Sequence, residues 1–265
     1  MQVPDRQPRP QYAGETMSYP SGPRGVYQID VVNQVGGAYR TVFGRLQLVG
    51  ELALLPYLIV LAAEFVAFLL PDRGTIAAVL AALIRAVGFL LFGTVFIVRW
   101  HRYVLLDESV SVGLIPPGWK HFVIAGIKLT VIVFVGWLAL AMLALLPPHF
   151  VTIPLSAIGG VALTLLALRV SLIFPAAAIE RPIGLQTAWE WIEGNFWRLF
   201  ACAFACYLPF AALQILVGVL QTRSTALTSI VFDALRLAIS FAASAVIGAL
   251  LSHIYRDITP DIRRI

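Results

Sequence analysis

Charge is what this sequence has least of. Of 265 residues only 12% are Asp, Glu, Lys or Arg, against 60% in the hydrophobic set. A water-soluble domain carries about a quarter charged residues and about half apolar ones, so a soluble globular fold is excluded, and the apolar excess excludes disorder over most of the length. Cysteine is scarce as well. Cys202 and Cys206 are the two present; they lie four apart in an apolar run, a spacing that suits packing on one helix face, and they cannot form a disulfide framework. No Cys/His spacing suits zinc, and no HExxH, glycine-rich phosphate loop or GxSxG elbow occurs. The loops hold too few polar groups to build a catalytic centre. The expectation is a protein that is not an enzyme and takes no cofactor or metal.

What is present is long apolar runs. A membrane helix needs about 20 mostly apolar residues, and six stretches qualify: Leu46–Leu70, Thr75–Val98, Phe122–Leu146, Ile153–Ile179, Phe196–Leu220 and Ala226–Leu251. Short connections at Pro71–Gly74, Pro147–Pro154 and Gln221–Thr225 alternate with longer ones at Arg99–His121 and Glu180–Asn195, which predicts an all-α polytopic protein of three tandem helical hairpins. Residues 26–258 form this transmembrane domain. Residues 1–25, with five prolines among polar residues, read as a disordered tail, and 259–265 as a short C-terminal one. From Val26 to Phe43 the residues Val26, Ile29, Val32, Val35, Tyr39 and Val42 recur every three or four positions, predicting a short helix along the membrane surface, although Gly36-Gly37 disfavours it.

The net charge is +5, and its distribution is more informative than its sum. Thirteen bases, Arg6, Arg9, Arg24, Arg40, Arg45, Arg99, Arg102, Lys120, Arg181, Arg198, Arg256, Arg263 and Arg264, fall on the side of both termini; Arg73 and Arg223 fall on the other. Basic residues concentrate on the cytoplasmic side, so the reading is a multi-pass protein of a bacterial inner membrane with both termini cytoplasmic, and the basic excess implies no nucleic-acid partner.

A threefold repeat runs through the chain, in units of about 43–112, 118–190 and 196–258. Each unit enters the membrane behind a base among aromatic or apolar residues: Phe43-Gly44-Arg45-Leu46, Trp119-Lys120-His121-Phe122 and Trp197-Arg198-Leu199-Phe200. Pro56 and Pro209 each lie eleven residues after the base of their unit; the middle unit has Val131 there. Together with Arg99, His101 and Arg102, the bases Arg45, Lys120 and Arg198 form a predicted interfacial collar that contacts lipid phosphate. His121, His149 and His253 are dispersed. The aromatic stretch Trp189–Arg198 reads as an interfacial anchor, with Gly194-Asn195 as break and cap before the fifth span.

Seven charged residues lie inside the spans: Glu51, Glu64, Arg85, Lys128, Arg169, Asp233 and Arg236. Each costs roughly 2.5–3.5 kcal/mol at a helix centre, so each needs a partner or water. Glu64 and Arg85 sit at matched depth in the first hairpin and are predicted to pair. Asp233 and Arg236, three apart on one helix, can pair locally. Glu51, Lys128 and Arg169, each about two turns from the cytoplasmic end of a different span, could converge on a polar site. These charges read first as interhelix staples, next as a cavity for a lipid headgroup or small anion, and last as a proton or ion pathway; four cations against three anions favour an anionic ligand.

Arg99-Trp100-His101-Arg102-Tyr103-Val104-Leu105-Leu106, Arg169-Val-Ser-Leu-Ile-Phe-Pro175, Ala188-Trp189 and Gly194-Asn195-Phe196-Trp197-Arg198-Leu199 resemble small multi-pass proteins of bacterial inner membranes. These are similar in turn to the membrane domain attached to some glycerophosphodiester phosphodiesterases. The resemblance covers about residues 40–257. It implies a multi-pass membrane protein and, because the phosphodiesterase barrel is absent, no hydrolase activity. The leading expectation is a non-enzymatic protein that associates through the collar with membrane lipids (anionic headgroups), or with a membrane protein partner or a second copy of itself. The alternative is a transporter or permease for a small anionic or lipid-like substrate, with its polar site near Glu51, Lys128 and Arg169.

Overall fold

The computed structural model describes residues 28–69, 75–108, 115–147, 149–222 and 225–259. The expected N-terminal tail, the whole of the Pro71–Gly74 turn and the C-terminal tail beyond residue 259 lie outside them. All regular structure among the described residues is helical: α1 (Val31–Phe43), α2 (Leu46–Leu69), α3 (Thr75–Gly88), α4 (Thr94–Leu106), α5 (Trp119–Ala144), α6 (His149–Arg169), α7 (Ile173–Ala178), α8 (Leu185–Trp191), α9 (Phe196–Gln221) and α10 (Ala226–Ile258). A single π-helical segment, Phe89–Gly93, joins α3 to α4, so the two run on as one span.

Six helices are long and apolar enough to cross a membrane, and their large side chains face outward: Phe134 is 64% exposed and Ile158 67%. A water-soluble chain would bury them; hydrocarbon accepts them, provided the backbone bonds close within each helix. The chain is therefore a multi-pass membrane protein. Its three hairpins pair α2 with α3, α5 with α6 and α9 with α10. Lipid supplies no hydrophobic drive between helices, so close van der Waals approach has to hold them. In the second hairpin Leu140 lies over Gly159, Leu163 over Gly136 and Trp137 over Gly160, where an added Cβ would meet the indole at 2.5 Å.

The packed core sits toward one end, the collar end. The residues Phe96, Trp100, Leu172, Leu199, Leu250 and Ile254 are almost wholly buried there. α10 is the central member: it packs against α1, α2, α4, α7 and α9, and the Nε1–H of Trp100 donates to its Ala245 carbonyl at 2.7 Å.

The structure moves several expected boundaries. The fourth span ends at Arg169, ten residues before the expected Ile179, because Val170–Leu172 turn and α7 starts a new axis. α7 is buried against α4, α5 and α10 and is not a continuation into lipid. α4 and α10 run seven or eight residues past their expected ends, to Leu106 and Ile258, because protein covers them at the collar end. α1 is a helix, and of the expected stripe it buries Val42 and half-buries Val35 and Tyr39 against the core, while Val26 lies outside the described residues. It packs on α9 and α10, burying Gln34, Ala38 and Val42, and leaves Val32 82% exposed. Gly37 explains the tolerated glycine pair, since a Cβ there would meet the His253 ring at 3.2 Å. Asp30 caps α1 by accepting from the Asn33 amide at 3.1 Å; that bond, followed by the Asn33 side chain, holds its carboxyl below the usual range.

Candidate functional site

Arg102 is the hub of the collar end. Its Nε–H and Nη2–H donate to the two carboxylate oxygens of Glu108, each at 2.6 Å, and its Nη1–H donates to the Ala178 carbonyl at 3.0 Å. Glu180 adds a third charge at 3.7 Å. The planar guanidinium fork suits this side-on grip on a carboxylate. Both acids follow helix ends that use a left-handed residue: α4 stops at Asp107, φ 52°, and α7 at Glu180 itself, φ 62°. At the second stop Glu180 N–H bonds the Ala177 carbonyl and Arg181 N–H that of Ala176, a Schellman closure usually made with glycine. Gly118, φ +79°, completes the junction: a Cβ there would stand 2.2 Å from the Ala178 oxygen.

His101 and Arg102 therefore do not contact lipid phosphate, as the collar reading expected. They are 1% and 7% exposed, because this end of α4 is enclosed by α5, α7 and α10. The His101 Nδ1 shares a hydrogen bond with the Ser252 hydroxyl at 2.7 Å, and Ser252 is wholly buried. Arg99 is half-buried on the same helix.

The other collar cations are outward. Arg45 is exposed, with its guanidinium 5.4 Å from the Tyr103 ring centre. Lys120 is exposed on the first turn of α5. Arg198 is exposed and donates to the Ile29 carbonyl at 3.0 Å and the Gln28 side chain at 3.2 Å, tying the entry of α1 to α9. Asn195 supports the same tie. Its side chain does not cap α9, as expected, but accepts from the Ile29 amide at 3.0 Å. Gly194 makes the expected break, at φ +78°.

Arg169 was expected beside Glu51 and Lys128. Its guanidinium instead lies 3.6 Å from the Trp189 ring centre and 5.9 Å from that of Phe196. Its Nε is buried with no hydrogen-bond partner among the described residues, so aromatic faces and not a carboxylate hold this cation. Lys128 is exposed, and Glu51 accepts from Gln47 of its own helix at 3.0 Å. No ion pair among the described residues joins Glu51 to either cation.

In the hairpins, Arg85 Nε–H donates to Glu64 at 2.7 Å, the pairing read from depth. Asp233 and Arg236 do not pair directly as expected, because Gln221 of α9 stands between them: it donates to Asp233 at 2.9 Å and accepts from Arg236 at 3.4 Å. One helix cannot reveal this, since the intervening group belongs to its neighbour. Cys202 and Cys206 are fully buried packing residues, and Tyr39 O–H donates to the Cys206 carbonyl at 2.9 Å. Burial, and then the nearby thiol, push the Tyr39 phenol upward. Among the described residues no group of His, Cys, Asp or Glu is arranged to hold a metal. No family model matches the chain, and neither a curated protein nor a solved structure matches it.

Proposed function

We propose that the chain is a non-enzymatic protein of a bacterial inner membrane that holds anionic lipids, or through them a membrane partner or second copy, against its collar end. One observation carries this reading. Arg45, Lys120 and Arg198 are exposed at that end, and Arg169 is held by aromatic stacking; none of the four enters an ion pair among the described residues. Cations at the headgroup level meet anionic phosphate, each worth about 1 kcal/mol. The exposed Trp197 and Phe43 beside them supply the aromatic belt. The thirteen-to-two bias of bases supports a cytoplasmic location for this end and both termini. The resemblance to membrane domains of glycerophosphodiester phosphodiesterases accords with a lipid-facing role.

The test is native mass spectrometry of the gently extracted protein with phosphatidylglycerol and phosphatidylcholine. Retention of phosphatidylglycerol should exceed that of phosphatidylcholine and fall several-fold when Arg45, Lys120 and Arg198 are all changed to Gln. Equal retention of the two lipids, or no change in the triple variant, refutes the reading. A transporter is the second reading, favoured by the register of the second hairpin: Leu140 against Gly159 and Leu163 against Gly136 bring Lys128 level with Arg169. Under it, Lys128→Leu abolishes uptake of an anionic substrate in a protein that still folds and inserts.

A further inference from the structure

The third hairpin carries a polar stripe that runs from mid-span to the end away from the collar. On α9 it comprises Tyr207, Gln214 and Gln221; on α10, Asp233, Arg236, Ser240 and Ser244. Spacings of three, four and seven keep each set on one helix face. Gln214 donates to the Ser240 hydroxyl at 3.0 Å and to the Arg236 carbonyl at 2.9 Å, and accepts from Arg236 Nε–H at 3.2 Å. Beneath this seam lies a recess of about 260 Å³ between the helices, lined by Tyr207, Phe210, Ser240, Ala243 and Ile247 among others.

Depth decides what such a site can take. At about 1.5 Å per residue, Gln214 and Ser240 lie roughly 24 Å from Arg198 and Arg256 on their respective helices, and their mutual bond confirms that the helices are in step. Arg236 lies roughly 30 Å and Asp233 roughly 34 Å from Arg256. Hydrocarbon is about 30 Å thick, so the recess occupies the middle of the bilayer and Arg236 its far boundary. Asp233 stands one turn further out, toward the headgroups.

The two charges are held apart. Gln221 bridges them, and no opposite charge among the described residues lies within ion-pair distance of either. Arg236 is exposed and Asp233 half-buried. A cation at the hydrocarbon boundary with an anion about 4.5 Å beyond it along the axis is the electrostatic complement of a zwitterionic headgroup, whose phosphate lies deeper and whose ammonium lies outward. A carboxylate accepts N–H bonds, which a primary ammonium can donate and a quaternary one cannot. The recess is smaller than the roughly 300 Å³ at which small-molecule sites begin, and it suits a stretch of acyl chain.

We propose that the α9–α10 groove binds one ethanolamine phospholipid of the leaflet opposite the collar, with phosphate on Arg236, ammonium on Asp233 and a chain in the recess. This site is separate from the collar and stands or falls without it.

Native mass spectrometry of the full chain with equimolar phosphatidylethanolamine and phosphatidylcholine tests the assignment, because the two lipids carry equal net charge and the collar does not tell them apart. The wild type should retain the ethanolamine lipid several-fold over the choline lipid. Asp233→Asn should bring the ratio to about one, and Asp233→Glu should restore it. Equal retention by the wild type overturns the proposal whether or not the variants fold. So does a preference that survives Asp233→Asn.

Discussion

Arg102 grips Glu108, six residues further along the chain, by two bonds of 2.6 Å, while its third nitrogen reaches the Ala178 carbonyl on α7. Of the two acids around it, Glu108 follows a left-handed residue, Asp107, and Glu180 is one itself, so this single guanidinium ties together the places where α4 and α7 stop. Arg102→Ala should destabilise the protein by about 2–4 kcal/mol, since it removes a mostly buried partner from charged and carbonyl groups. Arg102→Lys should recover little of this, because an ammonium cannot reproduce the fork. Thermal unfolding in detergent measures both changes.

Two glycines with nearly the same φ should behave differently. Gly118→Ala combines a left-handed backbone with a Cβ 2.2 Å from the Ala178 oxygen, and should cost about 3 kcal/mol or more. Gly194→Ala meets nothing within 4 Å and should cost only about 1 kcal/mol. A difference in melting temperature of several degrees between the variants is the expected reading.

Trp189→Ala takes the ring from beneath Arg169. The expected loss is about 0.5–2 kcal/mol of stability, together with weaker retention of phosphatidylglycerol, because the guanidinium is no longer held in one orientation. Trp189→Phe should retain part of each.

Glu64 and Arg85 should show coupling. Either single neutralisation leaves a charge facing lipid, whereas Glu64→Gln with Arg85→Gln leaves none, so the double variant should be more stable than the two single losses predict. A double-mutant cycle should return about 1 kcal/mol or more.

Orientation is tested by fusion. A cytoplasm-active reporter joined after Arg264 should be active, and an export-dependent one joined there should be silent; the reverse result removes the assignment of both termini to the cytoplasm.

The spans were legible because hydrocarbon imposes a length and a composition that no other environment requires, and the Glu64–Arg85 pair because depth along a hairpin follows from counting residues back from its turn. Facing was harder to read. In Arg99–Tyr103 every residue is compatible with the interface, yet Trp100, His101 and Arg102 turn inward, because α7 returns over that end of α4. Nothing between Val170 and Leu172 announces the bend that brings α7 there. The bridge from Gln221 to Asp233 and Arg236 was hidden for a similar reason: the spacing on α10 offers a local ion pair, and only the phase of α9 places an amide between them.

The position of α10 also bears on how the molecule is made. It is synthesised after the other five spans, yet it is the element against which α1, α2, α4 and α9 come together. The first two hairpins already meet each other through α4, α5 and α7, but the faces they turn toward α10 stay open until that crossing arrives. Cellular quality control acting on unfinished membrane chains will meet this protein with those faces uncovered.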